Sequence, residues 1–86
     1  MAIEKKPHKE ILGKPVVTKE GRKLGTIKDI LFETRTGELI HLMIKDQTNY
    51  ASQLHLERSQ QGDILIPYNS IIAIGDFVVV SEEDLI

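Results

Sequence analysis

The sequence of 86 residues contains no cysteine and no tryptophan, and its aromatic residues are two tyrosines and two phenylalanines. Without cysteine, the chain has no disulfide framework, no cysteine nucleophile and no thiolate metal site. No apolar run approaches the ~18 residues of a membrane span, and the lysine-rich start lacks the apolar stretch of a signal peptide. We therefore expect a cytoplasmic protein without membrane insertion.

Residues that could perform chemistry are few and scattered. The histidines His8, His41 and His55 lie far apart in the chain, so their spacing does not predict a zinc site. Gly21 and Gly25 do not complete a dinucleotide fingerprint, and no helix is predicted after them. A chain of this size buries only roughly 60 to 65% of its unfolded surface, which leaves little material for a catalytic cleft. We expect no catalytic residues, no cofactor and no metal.

The charges are distributed unevenly. The formal net charge is −2, but residues 1–28 carry a net charge of +5 and the remainder −7. A basic first third could attract RNA, and the residues of this alternative patch are Lys14, Lys19, Arg22, Lys23 and Lys28. If folding brings the basic and acidic parts of the chain together, much of the positive electrostatic field of residues 1–28 is cancelled, and we favour that interpretation.

Short β-prone runs separated by glycine-bearing turns predict an antiparallel all-β domain. These runs are residues 15–18, 24–33, 39–45, 63–67, 71–74 and 77–80. Residues 46–62 are polar and interrupt the series of short β-prone runs, so their conformation is not predicted. We expect a flexible N-terminal tail at 1–10, a folded domain at 11–81 and a short C-terminal tail at 82–86, in which Ser81 could cap a last half-turn of helix.

Three residues have specific backbone roles in this interpretation. Gly21 suits a turn that requires a positive φ, and Gly25 inside a strand predicts a bulge or a close backbone approach. Asp29 follows that bulge among apolar neighbours. We expect its carboxylate to accept backbone N–H groups of a neighbouring turn and to stabilise the bend, rather than to bind a ligand.

The third run alternates between two apolar faces. Ile40, Leu42 and Ile44 form the better core face, and Leu39, His41 and Met43 form the other. The last run, 77–80, has no polar face and would be an aggregation hazard unless it were paired. Either another part of the same chain or a second subunit must cover such surfaces, and we predict a homodimer. The candidate partner-binding residues are Leu39, His41, Met43, Phe77 and Val79.

Several landmarks occur in a characteristic order. They are residues 13–17 (GKPVV), 21–30 (GRKLGTIKDI), 36–39 (TGEL), 66–71 (IPYNSI) and 74–76 (IGD). Together they resemble the pattern of the PRC-barrel family, and in particular its short stand-alone archaeal members. The resemblance implies a small PRC-type β-barrel of about six mainly antiparallel strands.

The same resemblance implies a function. Members of the family act as non-catalytic adaptors that dock onto a protein partner in a macromolecular assembly. For archaeal stand-alone members, the resemblance points to cell division. A bacterial ribosome maturation factor also contains this barrel, so the alternative is an RNA- or ribosome-associated factor.

Overall fold

The computed structural model describes residues 3–5, 11–33 and 35–85. Seven strands and one short α-helix are present in these ranges. They are β1 (Ile3–Lys5), β2 (Pro15–Thr18), β3 (Lys23–Glu33), β4 (Leu39–Lys45), α1 (Asn49–Gln53), β5 (Ile64–Pro67), β6 (Ile71–Ile74) and β7 (Val78–Val80). Single 3-10 turns at Tyr68–Ser70 and Glu82–Asp84 follow β5 and β7. The all-β prediction is therefore confirmed.

The strands form one sheet in the order β5-β4-β3-β2-β7-β6, and β1 adds to β3. Neighbours pair antiparallel, except that β2 and β7 run parallel, with Val16 opposite Val78. The sheet is barrel-like but its ladder is not closed, because no pairing between β5 and β6 joins its ends among the described residues. The 3-10 turn Tyr68–Ser70 connects these two strands directly.

The long strand β3 bends because extra residues interrupt its pairing. The register shifts where β3 leaves β2, between the pairs Val16↔Gly25 and Val17↔Lys23. It shifts again against β4 between Ile27 and Asp29. Such bulges increase local twist and let one strand pair with different neighbours along its length.

The core consists of aliphatic side chains drawn from the whole length of the domain, from Val16 to Leu85. Fully buried members include Leu24, Ile27, Leu42, Ile44 and Val78. The predicted core position Ile40 is only half-buried. The reason is a third register shift, because Leu31 pairs with His41 and Phe32 with Leu39, which leaves Ile40 unpaired at a bulge.

The polar segment 46–62 has more structure than its sequence suggests. Thr48 caps helix α1, since its side-chain oxygen accepts a hydrogen bond from Ala51 N at 3.1 Å. Ala51 is buried against the core, and Arg58 forms an isolated bridge with Ile64 of β5. The helix escaped prediction because five residues are too few to show an apolar stripe.

The two expected tails differ from the prediction. Ile3–Lys5 is strand β1, which pairs with β3, whereas residues 1, 2 and 6–10 of the expected flexible tail lie outside the described residues. At the other end, Glu82–Asp84 is a 3-10 turn and Leu85 is buried in the core. The side chain of Ser81 makes no capping hydrogen bond there. The C-terminal segment is therefore part of the domain.

Candidate interaction surfaces

Four large apolar side chains lie exposed around strand β6. We call Tyr68, Ile72, Ile74 and Phe77 the edge patch, and their exposed fractions are 55%, 55%, 47% and 54%. Ile72 and Ile74 belong to β6, Tyr68 to the 3-10 turn before it and Phe77 to the turn after it. Exposed apolar groups that cluster in this way indicate an interaction site, whereas single ones do not.

The strand that carries the edge patch is at an end of the sheet. β6 pairs with β7 on one side, and no strand pairs with its other side in the described ranges. Proteins usually protect such edges with lysine, proline or other charged side chains. The segment 68–75 (YNSIIAIG) contains neither a charged residue nor a proline, so its protection is limited to a bulge between Ile71 and Ala73 and to Lys14, which donates to the carbonyl of Gly75.

The predicted partner-binding residues lie in different environments. Phe77 belongs to the edge patch, but it lies in a turn rather than in the predicted strand. Val79 is half-buried in β7. Leu39 pairs with Phe32 at the start of β4, and its side chain lies outside the description.

His41 and Met43 lie on the other face of β4, as predicted. Met43 is only 3% exposed, because Asp29 of β3 and Leu65 of β5 flank it in the sheet. His41 Nε2 lies 3.1 Å from Glu57 Oε1 and is also largely covered. Met43 therefore offers almost no surface to a partner, and the partner-binding role of the set stays a prediction.

Sequence reasoning missed Tyr68, Ile72 and Ile74. It singled out the valine-rich run 77–80 as the hazardous edge, but Val78 and Val80 are buried in the core. The signal that was available is the absence of charge from position 68 to position 75. That run contains the first strand of the predicted last hairpin, residues 71–74.

The basic residues of the alternative patch do not form one open cluster. Lys28 lies 3.4 Å from Asp63, and Lys19 lies 3.6 Å from Glu83. Lys14 Nζ donates to the carbonyl of Gly75, and Lys23 is exposed. These contacts reduce the positive charge available to phosphates, and RNA binding stays a prediction.

Arg22, the fifth basic residue, belongs to a polar cavity of about 350 Å³ beside helix α1. Its guanidinium lies 4.6 Å from the ring centre of Tyr50, and the Tyr50 hydroxyl donates to Glu82 Oε1 at 2.5 Å. The hydrogen bond to Glu82, which requires the phenol proton, raises the pKa of Tyr50, and desolvation and the nearby negative charge of Glu82 raise it further. The contacts join the C-terminal turn to α1 and to the turn after β2.

A second cavity, of about 550 Å³, lies at the β3–β4 hairpin, and we call it the hairpin cavity. Its lining residues are Glu33, Arg35, Thr36, Glu38 and Ile40. Glu33 is only 6% exposed, and its Oε1 accepts a hydrogen bond from Arg35 N at 3.0 Å. Its Oε2 is buried and has no hydrogen-bond partner within the ranges 11–33 and 35–85.

The backbone roles assigned from the sequence can be compared with the structure directly. Gly21 has φ +90°, as its turn requires. A Cβ on Gly25 would lie 2.6 Å from the carbonyl oxygen of Lys45, which confirms the predicted close approach. Asp29 Oδ1 accepts from Ile30 N at 2.9 Å, so the carboxylate binds the backbone of its own strand at the bulge rather than a separate turn.

The described part of the chain contains no group of three or more His, Cys, Asp or Glu side chains that could hold a metal ion. None of its helices has the length and apolar character needed to cross a membrane.

Comparison with known proteins agrees with this architecture. A sequence profile of the PRC-barrel domain matches residues 4–85. The chain belongs to the PRC-barrel family. An uncharacterized protein of the archaeon Methanocaldococcus jannaschii is 31% identical over 83 residues, which is 96% of this chain and 89% of that protein. The matched residues include β7 and Leu85, in agreement with a domain that extends beyond residue 81.

Proposed function

We propose that this PRC-barrel protein is a non-catalytic cytoplasmic adaptor, which self-associates and docks onto a macromolecular assembly. The carrying observation is the edge patch on an edge strand that has no charged residue of its own. The archaeal resemblance points to cell division as the setting. The first partner that the edge patch fits is a second copy of the chain.

Symmetry favours a second copy at this edge. Two identical strands can pair antiparallel about a twofold axis, so that one surface serves both subunits. A pair centred on Ala73 would place Ile72 of each copy opposite Ile74 of the other. No like charges would meet within 68–75, because this segment carries none. The pairing would supply partners for the open backbone groups of β6.

The size of the patch sets the strength of such a dimer. Four side chains that are each about half exposed offer roughly 400 Å² of apolar area per copy, taking 150–250 Å² for a whole aromatic side chain. Two copies with their backbone edges would bury on the order of 1,000 Å², which is near the lower limit for specific interfaces. We therefore expect a dimer that forms reversibly at micromolar concentrations.

Sedimentation velocity over about 1 to 500 μM tests this proposal. The wild-type protein is expected to shift from a species near 9.7 kDa to one of twice that mass as concentration rises. The variant Ile72→Lys/Ile74→Lys places four positive charges at the twofold interface and should remain monomeric. Its far-ultraviolet circular dichroism should match that of the wild type, because both positions are exposed.

A control variant with the same added charge distinguishes a loss of the edge patch from a general effect of added lysines. Gln60→Lys/Gln61→Lys introduces the same charge at exposed positions in the turn before β5 and should dimerise as the wild type does. A wild-type protein that stays near 9.7 kDa at 500 μM would refute self-association. Dimerisation of the Ile72→Lys/Ile74→Lys variant would refute the edge patch as its site.

A further inference from the structure

We infer that the hairpin cavity binds an alkylammonium group, as presented by a lysine side chain of a partner protein. The inference is independent of self-association, because the cavity at the turn of the β3–β4 hairpin contains none of the edge-patch residues. It rests on one buried carboxylate with an unused oxygen, on the charge of the lining and on the kinds of acceptor that surround the cavity.

Glu33 is the central group. The residue is more than nine-tenths buried. One carboxylate oxygen accepts a hydrogen bond from the backbone N–H of Arg35, and Oε2 is buried without a partner among the residues the structure describes. Burying an unpaired carboxylate oxygen costs free energy, which a hydrogen-bond donor would recover. The terminal torsion of a glutamate is soft, so a modest rotation would turn Oε2 towards a donor in the cavity.

The formal charge of the lining selects a cation. Glu33 and Glu38 carry two negative charges and Arg35 one positive charge, so these lining residues have a net charge of −1. One monovalent cation would neutralise the site. A divalent ion is less suited, because only two carboxylates line the cavity and the described residues offer no three-ligand group.

The arrangement of acceptors favours an ammonium over a guanidinium. Arginine binds carboxylates best through two parallel hydrogen bonds, but one oxygen of Glu33 is already occupied by Arg35 N. An ammonium is a compact charge with three donors. Glu33, Glu38 and Thr36 line the cavity with three acceptor groups, and Ile40 supplies an apolar wall for an alkyl stem.

The cavity also has a defined rim. The Thr36 hydroxyl oxygen accepts a hydrogen bond from Glu38 N at 3.1 Å. In the backbone, Glu33 N donates to Glu38 O and Gly37 N donates to Glu33 O, each at 2.8 Å. These bonds hold the turn that separates the two carboxylates. A volume of about 550 Å³ accommodates a lysine side chain together with the adjoining backbone of a peptide.

The test uses the full chain and a defined probe. Nα-acetyl-lysine N-methylamide is titrated into ¹⁵N-labelled protein near pH 7 at low salt, and amide shifts are followed by NMR. Saturable shifts are expected at Arg35, Thr36, Gly37 and Glu38, with a dissociation constant in about the millimolar range. The matched norleucine and arginine derivatives should bind at least about fivefold more weakly.

Three variants make the outcome decisive. Glu33→Gln keeps an acceptor for Arg35 N but removes the charge, and should weaken lysine binding about tenfold. Glu38→Gln leaves Glu33 intact and should weaken it less. Glu57→Gln, at an exposed carboxylate beside His41, should change nothing. Equal shifts with norleucine, no saturable shifts, or unchanged binding by both Glu33→Gln and Glu38→Gln would overturn the inference without affecting the dimer proposal.

Discussion

Gly25 lies where β3 passes very close to β4. An added Cβ would lie 2.6 Å from the carbonyl oxygen of Lys45 and 3.1 Å from the Cδ1 of Ile44. The first of these atoms belongs to the backbone and cannot move without disturbing the strand pairing. The need for glycine here is therefore steric.

Gly25→Ala is expected to destabilise the protein by about 1 to 3 kcal/mol, because the added methyl group forces the two strands apart. Urea unfolding followed by circular dichroism measures the change. Gly75→Ala is the control, since a Cβ there has no neighbour within 4 Å. It should alter the free energy of unfolding by less than about 0.5 kcal/mol. If Gly25→Ala were as stable as the wild type, the close approach of the two strands would not require glycine.

At the scale of elements, Thr48 attaches the short helix α1 to the sheet. Its side-chain oxygen accepts from Ala51 N and its hydroxyl donates to Lys23 O at 2.7 Å. Its backbone N–H donates to Leu24 O at 3.0 Å. A five-residue helix does not form alone in water, so its stability depends on these contacts and on the burial of Ala51.

Thr48→Ala should cost about 1 to 2 kcal/mol, because the variant loses both the cap and the bond to Lys23. Asn49→Ala, at the exposed first residue of the helix, should have an effect within about 0.5 kcal/mol. Chemical denaturation of both variants gives the comparison. A loss no larger for Thr48 than for Asn49 would contradict the anchoring role.

Elements differ in how far the sequence predicts them. The runs that became β2 to β7 were predictable because β-prone residues and glycine turns are local features, and the PRC-barrel landmarks indicated their order. Helix α1 and strand β1 were not predictable, since each is stabilised by contacts with β3 rather than by its own periodicity. The burial of Met43 likewise depends on Leu65, a residue far away in the sequence.

The candidate surfaces were less predictable than the fold. Only Phe77 of the edge patch was singled out, because the exposure of Ile72 and Ile74 depends on which strand ends the sheet. The hairpin cavity had no signature at all in the sequence. Glu33 is one of many glutamates, and its burial becomes visible only once the β3–β4 hairpin has folded.

At the scale of the whole molecule, the C-terminal residues complete the core. Leu85 is 8% exposed and packs in the same cluster as Val16 and Val80. Leu85→Ala is therefore expected to destabilise the protein by about 2 to 3 kcal/mol. Ile72→Ala removes an exposed side chain and should leave the stability of the monomer nearly unchanged.

Thermal unfolding at low protein concentration compares these two variants, because dilution removes any contribution of the dimer to stability. The Leu85→Ala protein should melt roughly 8 to 24 °C below the wild type, and the Ile72→Ala protein should melt within a few degrees of it. A Leu85→Ala protein as stable as the wild type would mean that the C-terminal segment is a tail after all.

The parallel pairing of β2 with β7 has a consequence for synthesis in the cell. Val16, near the start of the domain, lies beside Val78, near its end. A growing chain still held in the ribosomal exit tunnel therefore lacks the neighbour that covers this side of β2. β7 can pair with β2 only after residues 78–80 have left the tunnel, so until then the nascent protein exposes an incomplete sheet to which chaperones could bind.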